Sequence, residues 1–285
     1  MIKRVFDFKG APVLVAAFLL LFVSEGRRQL RRRTQPRFRR VVINTIVSLP
    51  AFTLLRLLFL PAMVKLAVKN KQLKWGLNYQ YSAHPLLKGL VAFLIMDYTN
   101  YLWHVLNHKL PVLWRFHVVH HSDPDLDVTT ALRFHFGEII GSVFYRGAFV
   151  FVSGATALQV LLYEILFEGA TQFHHSNLKL PFAIEKGLNN IIVTPRMHGI
   201  HHSVVRRETD SNYAVIFSIW DRLHNTIRLN VAQDKIVTGL PAYNNVDELT
   251  VGYLLKLPFT KIRKWPESNQ PLTEQSFELK NRLAF

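Results

Sequence analysis

Three histidine clusters, each at helical spacing and each beside a predicted span end, limit more than any other feature how these 285 residues can fold. The first, His104-Val-Leu-Asn-His108, follows directly on an apolar stretch, and spacing i, i+4 sets both imidazoles on one helical face, one turn apart. The second and third, His117-Val-Val-His120-His121 and His198-Gly-Ile-His201-His202, offer i, i+3 and i+4. On a helix those adjacent histidines lie on either side of the position above i, so they can face two different centres. A further pair, His174-His175, closes another apolar segment. One His-x3-His carries little weight. Three clusters carry much, because polar groups at membrane depth are expensive and mark sites. The isolated His84 and His224 read as ordinary hydrogen-bonded side chains.

The apolar runs supply the scaffold. Ala11 to Val23 has signal-peptide length, but eight arginines follow between Arg27 and Arg40, and such a block resists translocation, so the run reads as an anchor with its N-terminus outside. Val41 to Val64 is long enough to span despite Pro50 and Arg56. After a polar interval, Lys65 to His84, a third run covers Pro85 to Trp103. Between Ile139 and Gln172 two shorter runs, broken at Ser153-Gly154, read as a helical hairpin with its turn at the small residues. Counting alternate passages places every histidine cluster on one membrane face, the cytoplasmic one. From Leu178 onward the chain is more polar and punctuated by proline.

The expected fold is therefore all-α, an integral-membrane helical bundle of about four to five membrane-embedded segments with a cytosolic helical cap carrying the last cluster. Three parts are expected: 1–84 as anchor spans with the arginine-rich loop, 85–228 as the catalytic domain, and 229–285 as a cytosolic tail. A bacterial inner membrane and the endoplasmic reticulum fit equally.

Composition narrows the chemistry. The chain is 49% hydrophobic, with five Trp, nine Tyr and twenty-one Phe, rings that favour a lipid interface. A net charge of +16 raises nucleic-acid binding, but the arginines are concentrated in one short loop and a nucleic-acid patch needs a soluble scaffold. With no cysteine, thiolate sites and disulfides are excluded, and a metal must be held by His, Asp or Glu. Nine or ten imidazoles exceed what one ion needs. Imidazole suits Fe, Zn, Cu and Ni; a zinc hydrolase needs three or four ligands and leaves half the histidines unexplained, and neither His-Glu-x-x-His nor Gly-x-Ser-x-Gly is present. A pair of redox ions, two Fe(II), accounts for the number and can use O2 against an unactivated C–H bond, the protein supplying ligation and alignment. A zinc-dependent membrane hydrolase and a non-catalytic metal- or lipid-binding protein are the alternatives.

The order of the clusters resembles the fatty acid hydroxylase and sterol desaturase superfamily of membrane non-haem di-iron enzymes, over roughly Asp97 to Thr226. Supporting residues include Asp97 seven before His104, His121-Ser-Asp, Thr129-Thr-Ala-Leu-Arg133-Phe-His135-Phe-Gly-Glu138, Phe173-His174-His175-Ser-Asn177, Thr194-Pro195, and Asn212-Tyr213 followed by Trp220-Asp221-Arg222-Leu223. Phe136, Ala214 and His224-Asn225 depart from the usual pattern without touching a box histidine. The resemblance implies nine ligands: His104, His108, His117, His120, His121, His175, His198, His201 and His202. His135 and His174 complete or flank that shell, Asp97 and Glu138 are candidates to accept a ligand's free N–H, and Asn177 is a further candidate outer partner. Glu164 and Glu168, spaced i, i+4, are expected to face the bundle interior. The implied activity is hydroxylation, or desaturation, of a lipid or sterol-like substrate with O2. No flavin or nicotinamide fingerprint is visible, so electrons must come from an external cytochrome, ferredoxin or reductase, which the basic surface would help recruit.

Overall fold

Proline and glycine divide the chain into helices that run back and forth between two ends, and every histidine cluster falls at the same end. The structure is a computed structural model describing residues 10–265. Among the described residues there is no strand, only three isolated bridges.

Helix α1 (Ala11–Arg27) runs toward the histidine end. Helix α2 (Arg37–Leu54) leads away, passes through a π-helical turn at Leu55–Phe59 and continues as α3 (Leu60–Leu73). At 1.5 Å per residue this rod is about 55 Å long. The π turn lies between Pro50 and Pro61, where missing backbone donors loosen the helical ladder. The polar interval expected from Lys65 thus begins as helix and turns only at Lys74, whose backbone is left-handed.

Helix α4 (Pro85–Lys109) returns to the histidine end. It stops at Leu110, which Pro111 forces into extended backbone, and α5 (Pro111–His121) then folds the second cluster back on the first. Helices α6 (Phe136–Ser153) and α7 (Ala157–His175) form the expected hairpin around Gly154, φ 69°. Its tip crosses the turn after α3 so closely that a Cβ on Gly76 would lie 2.4 Å from the Gly154 backbone. Thr156 and Gln159 close a capping box that starts α7.

Two stretches, 37–79 and 136–153, are long and apolar enough to cross a membrane. The expected runs 11–23 and 85–103 are helical too, in α1 and α4. Side chains such as Val13, Leu20, Phe52, Phe144, Leu162 and Leu166 face outward along these helices. Inside, Phe59, Met63, Met96, Val150, Val160 and Tyr163 pack as the bundle core.

Short helices follow: α8 (Phe182–Leu188), α9 (Pro195–His201), α10 (Arg206–Thr209), α11 (Ile219–Leu223) and α12 (Val251–Lys256). A second core, with Val118, Val119, Leu240, Tyr243, Leu254 and Leu257, fastens the segment after residue 240 onto α5.

The arginine-rich stretch departs from a simple loop. Arg31 and Arg40 are buried: Arg31 donates to Pro195 O and Gln233 Oε1, while carboxylates folded beneath the stretch take up other cations, Arg40 clamping Asp123 and pairing with Asp127 and Arg37 meeting Glu25 at 2.8 Å. A buried charge without such a partner is strongly destabilising.

Candidate metal centre

Helices α4, α5, α7 and α9 bring nine imidazoles together as two adjoining groups. One holds His104, His108, His117, His121 and His201; the other holds His120, His175, His198 and His202, and within each group one ring nitrogen per residue lies within 4.8 Å of the others. All nine side chains are buried. Helix α5 feeds both groups, with His117 and His121 in the first and His120 in the second, as i, i+3 and i+4 spacing demands. The α9 cluster splits the same way, His201 against His198 and His202. The groups touch where the rings of His121 and His202 stack at 4.5 Å.

The hydrogen bonds of the rings fix their direction. His104, His175 and His201 each place Nδ1 2.7 Å from a backbone carbonyl, of Tyr213, Thr171 and Ser211. A carbonyl can only accept, so Nδ1 carries the proton and Nε2 presents a bare lone pair. In the second group four Nε2 atoms form a chain, His120 to His175 at 3.0 Å, His175 to His198 at 3.0 Å and His198 to His202 at 3.1 Å. Imidazole nitrogens about 2.1 Å from one ion and at right angles to it sit about 3.0 Å apart, so the spacing fits shared ligation.

Energetics point the same way. Among the described residues, buried nitrogens of His104, His108, His117, His120, His121, His198 and His201 have no hydrogen-bond partner. Each orphaned buried polar atom costs about 1–3 kcal/mol, so the set costs on the order of 10 kcal/mol, as much as the whole stability of an ordinary domain. A bound metal would offset that cost at Nε2 of His104, His108, His117 and His201 and at one nitrogen of His121. Burial first, and then neighbouring imidazoles, push His121 and His202 well below the usual histidine value, and His175 and His201 fall to about 3. These four stay neutral, the form that binds a metal.

The expected outer residues divide. Glu138 accepts from Nδ1 of His117 at 3.1 Å, holding Nε2 toward the group. Asp97 does not reach a ligand: it accepts from Trp220 Nε1 at 2.6 Å and Phe217 N at 3.2 Å, tying α4 to the cap. Asn177 is also away from the centre, bonded in both directions to the Arg31 backbone. His135 lies outside both groups for a clear reason. Its Nδ1 accepts from Gly137 N as the N-cap of α6 and its Nε2 donates to Leu255 O, so neither nitrogen is spare. His174 donates from Nδ1 to Val215 O, and its ring lies tilted 4.1 Å from His198 without joining the four. Glu164 faces inward as expected and pairs with Arg146, whose guanidinium lies over Phe59 and Phe167.

Other supports carry no signal in the sequence read by spacing. The carbonyls of Tyr213, Thr171 and Ser211 are backbone atoms, which any residue supplies. Arg133, fully buried, donates from Nε to Val119 O, from Nη2 to Ser122 Oγ and from Nη1 to Asn44 Oδ1, gripping the end of α5 that carries His120 and His121. Burial alone would raise the Asp123 carboxyl, but Arg40 and Arg133 hold it at about 2.

A cavity of about 60 Å³ opens on the histidines, bounded by His104, His117, His120, His175, Trp103, Phe134, Phe167 and Val215. It reaches both groups.

Fold and site together define an α-helical protein with a buried nine-histidine centre at one end of an apolar bundle. The sequence model of the family described as fatty acid hydroxylase matches residues 89–226. That region spans all nine histidines, and over it the chain is similar to the fatty acid hydroxylase family. Human alkylglycerol monooxygenase is 30% identical over 150 residues, 52% of this chain and 32% of that protein. An ornithine lipid hydroxylase of Rhizobium tropici is 31% identical over 137 residues, covering 48% and 40%. Mouse cholesterol 25-hydroxylase is 25% identical over 142 residues, covering 49% and 46%. The chain spans less than half the length of each of these relatives. No solved structure matches the chain.

Proposed function

We propose that this chain is a membrane di-iron oxidoreductase that uses O2 and external electrons to hydroxylate a C–H bond of a lipid. The observation that carries the reading is the convergence of nine buried imidazoles into two adjoining groups, within a region that matches a family of hydroxylases. His104, His108, His117, His121 and His201 would hold one iron and His120, His175, His198 and His202 the other. Iron bound there would supply the redox chemistry that cleaves O2 and attacks an unactivated C–H bond.

The chain's own residues do the rest. Tyr213 O, Thr171 O, Ser211 O and Glu138 fix ring tautomers, so that lone pairs converge before metal arrives. Trp103, Phe134, Phe167 and Val215 give the small cavity apolar walls that exclude water. At about 10–15 Å³ for each water-sized group, 60 Å³ admits a short length of hydrocarbon and no headgroup. The substrate therefore presents a chain segment to the centre while its polar part stays outside. The histidine end faces the cytoplasm in this reading, next to the exposed Arg27, Arg28 and Arg32.

Metal analysis of the purified protein tests the assignment, with two irons per chain expected. Lipid profiling of cells with and without the gene tests the reaction: one lipid gains sixteen mass units, or loses two for desaturation. One zinc and no iron, or an unchanged lipid profile, sinks the reading.

A further inference from the structure

A second cavity bordering the centre is larger than the one that reaches both histidine groups. It measures about 630 Å³ and lies between α5 and the 240–265 segment, and it shares no lining residue with the 60 Å³ cavity. Of the nine histidines only His108 faces it. A C–H bond placed there would meet one ligand of one group, which makes it a poor place for substrate. An electron needs only to reach a ligand.

The walls suit electron entry. Trp265 and Trp114 are half-buried in the lining, with ring centres 6.4 Å apart. The Trp114 ring lies 5.1 Å from His108 and 5.6 Å from His121. Two indoles thus form a short aromatic column from the cavity rim to two histidines of the five-membered group. Such separations are short enough for electron tunnelling.

The rim is cationic. Lys109, Arg206, Arg263 and Lys264 line it against one carboxylate, Asp210. Lys109 and Arg206 share that carboxylate at 3.3 and 3.7 Å, and Arg263 meets Glu248 at 2.7 Å. Among the described residues positive charge is in excess around the mouth, and Arg206 lies over the Trp265 ring at 5.8 Å. A mouth of one sign steers an oppositely charged partner and orients it on approach.

We infer that the Lys109–Arg206–Arg263–Lys264 rim is the docking site of a small acidic one-electron carrier protein, with Trp265 and Trp114 conducting its electron toward His108 and His121. The inference rests on the di-iron reading above. Each encounter oxidises the carrier by one electron. Two encounters and two protons from water are used per O2; one oxygen atom enters the C–H bond and the other leaves as water.

The experiment uses the purified full chain in detergent, iron-free and iron-loaded, with an acidic plant-type [2Fe–2S] ferredoxin as probe and a basic c-type cytochrome as control. Saturable ferredoxin binding is expected, weakening as salt rises, with no binding of the cytochrome. The double variant Arg206→Gln/Lys264→Gln should bind ferredoxin at least about tenfold more weakly even without iron, the order expected when docking charges are removed. Trp114→Leu should bind with unchanged affinity, yet its loaded centre should take electrons from ferredoxin at least about tenfold more slowly in stopped flow. Methyl viologen, a mediator that needs no docking face, should reduce that centre as fast as in the parent protein. Equal slowing by both reductants means damage to the centre and overturns the conducting role. Equal binding by the double variant, no saturable binding at all, or displacement of ferredoxin by phosphatidylglycerol micelles, which assigns the cavity to a lipid headgroup, overturns the docking site. If iron-loaded parent protein with methyl viologen and O2 makes no oxidised lipid, the proposed function fails instead, whatever the binding data give.

Discussion

The two histidine groups solve one problem by different means. In the group of five, His104 and His201 are anchored by carbonyls and His117 by Glu138, so three rings are aimed from behind. In the group of four only His175 has such a carbonyl anchor; the Nε2 atoms of the four are pressed into a chain of contacts of 3.0–3.1 Å. The first group is organised by outer hydrogen bonds, and the second by crowding that a shared ion would relieve. The second group, with fewer ligands and fewer anchors, should then hold its metal less firmly.

The largest effect to look for is loss of one ion. His120→Ala leaves three rings in the smaller group, and His108→Ala leaves four in the larger. His120→Ala should cost metal affinity at its group beyond the roughly 10–100-fold that loss of an outer partner causes, giving about one iron per chain and no oxidised lipid. His108→Ala should keep closer to two. Iron counted by elemental analysis decides it: equal losses in the two variants break the comparison.

The next effect is on the frame behind both groups. Arg40 holds Asp123 through two bonds of 2.8 Å, and Asp123 lies just past the α5 cluster, after Ser122. Arg40→Met removes the cation bonded to that buried carboxylate, leaving it the bonds from Asn44 and Thr130 and the longer-range charge of Arg133, and breaking such a pair costs about 3–5 kcal/mol. Thermal unfolding should show the loss, and a variant as stable as the parent would mean that this network does not hold α5. Smaller again is Glu138→Leu. It frees one anchored ring of the larger group, and should lower metal affinity by about 10–100-fold while leaving the smaller group filled.

How far the sequence could be read follows from the same contrast. Spacing alone brought out the clusters, and i, i+3 and i+4 geometry anticipated that His120 and His121 would part between two centres. The hairpin turn at Gly154 was legible because glycine there permits a left-handed backbone. Anchors of the larger group were mostly illegible, since the carbonyls of Tyr213 and Ser211 belong to no residue type. The arginine stretch misled for a related reason: charge counting treats every arginine as solvated, whereas Arg31 and Arg40 are used internally by partners far along the chain. Asp97, seven residues before His104, looked like a ligand's partner but lies nearly two turns away, where it meets Trp220.

The smallest predicted effect marks where the two groups end. His135 sits fourteen residues beyond the α5 cluster and belongs, by residue type, with the ligands. Its Nδ1 takes the Gly137 N–H that α6 would otherwise leave unpaired, at 3.0 Å, and its Nε2 faces Leu255 O. A ring with both nitrogens engaged has no lone pair to give a metal. His135→Ala should therefore remove a cap and cost about 0.5–2 kcal/mol, with two irons per chain retained. His135→Asn, which can cap in its place, should recover most of that stability. Iron content that fell with His135→Ala and returned with neither replacement would make His135 a tenth ligand, and the line between the capping histidine and the metal-facing nine would have to be redrawn.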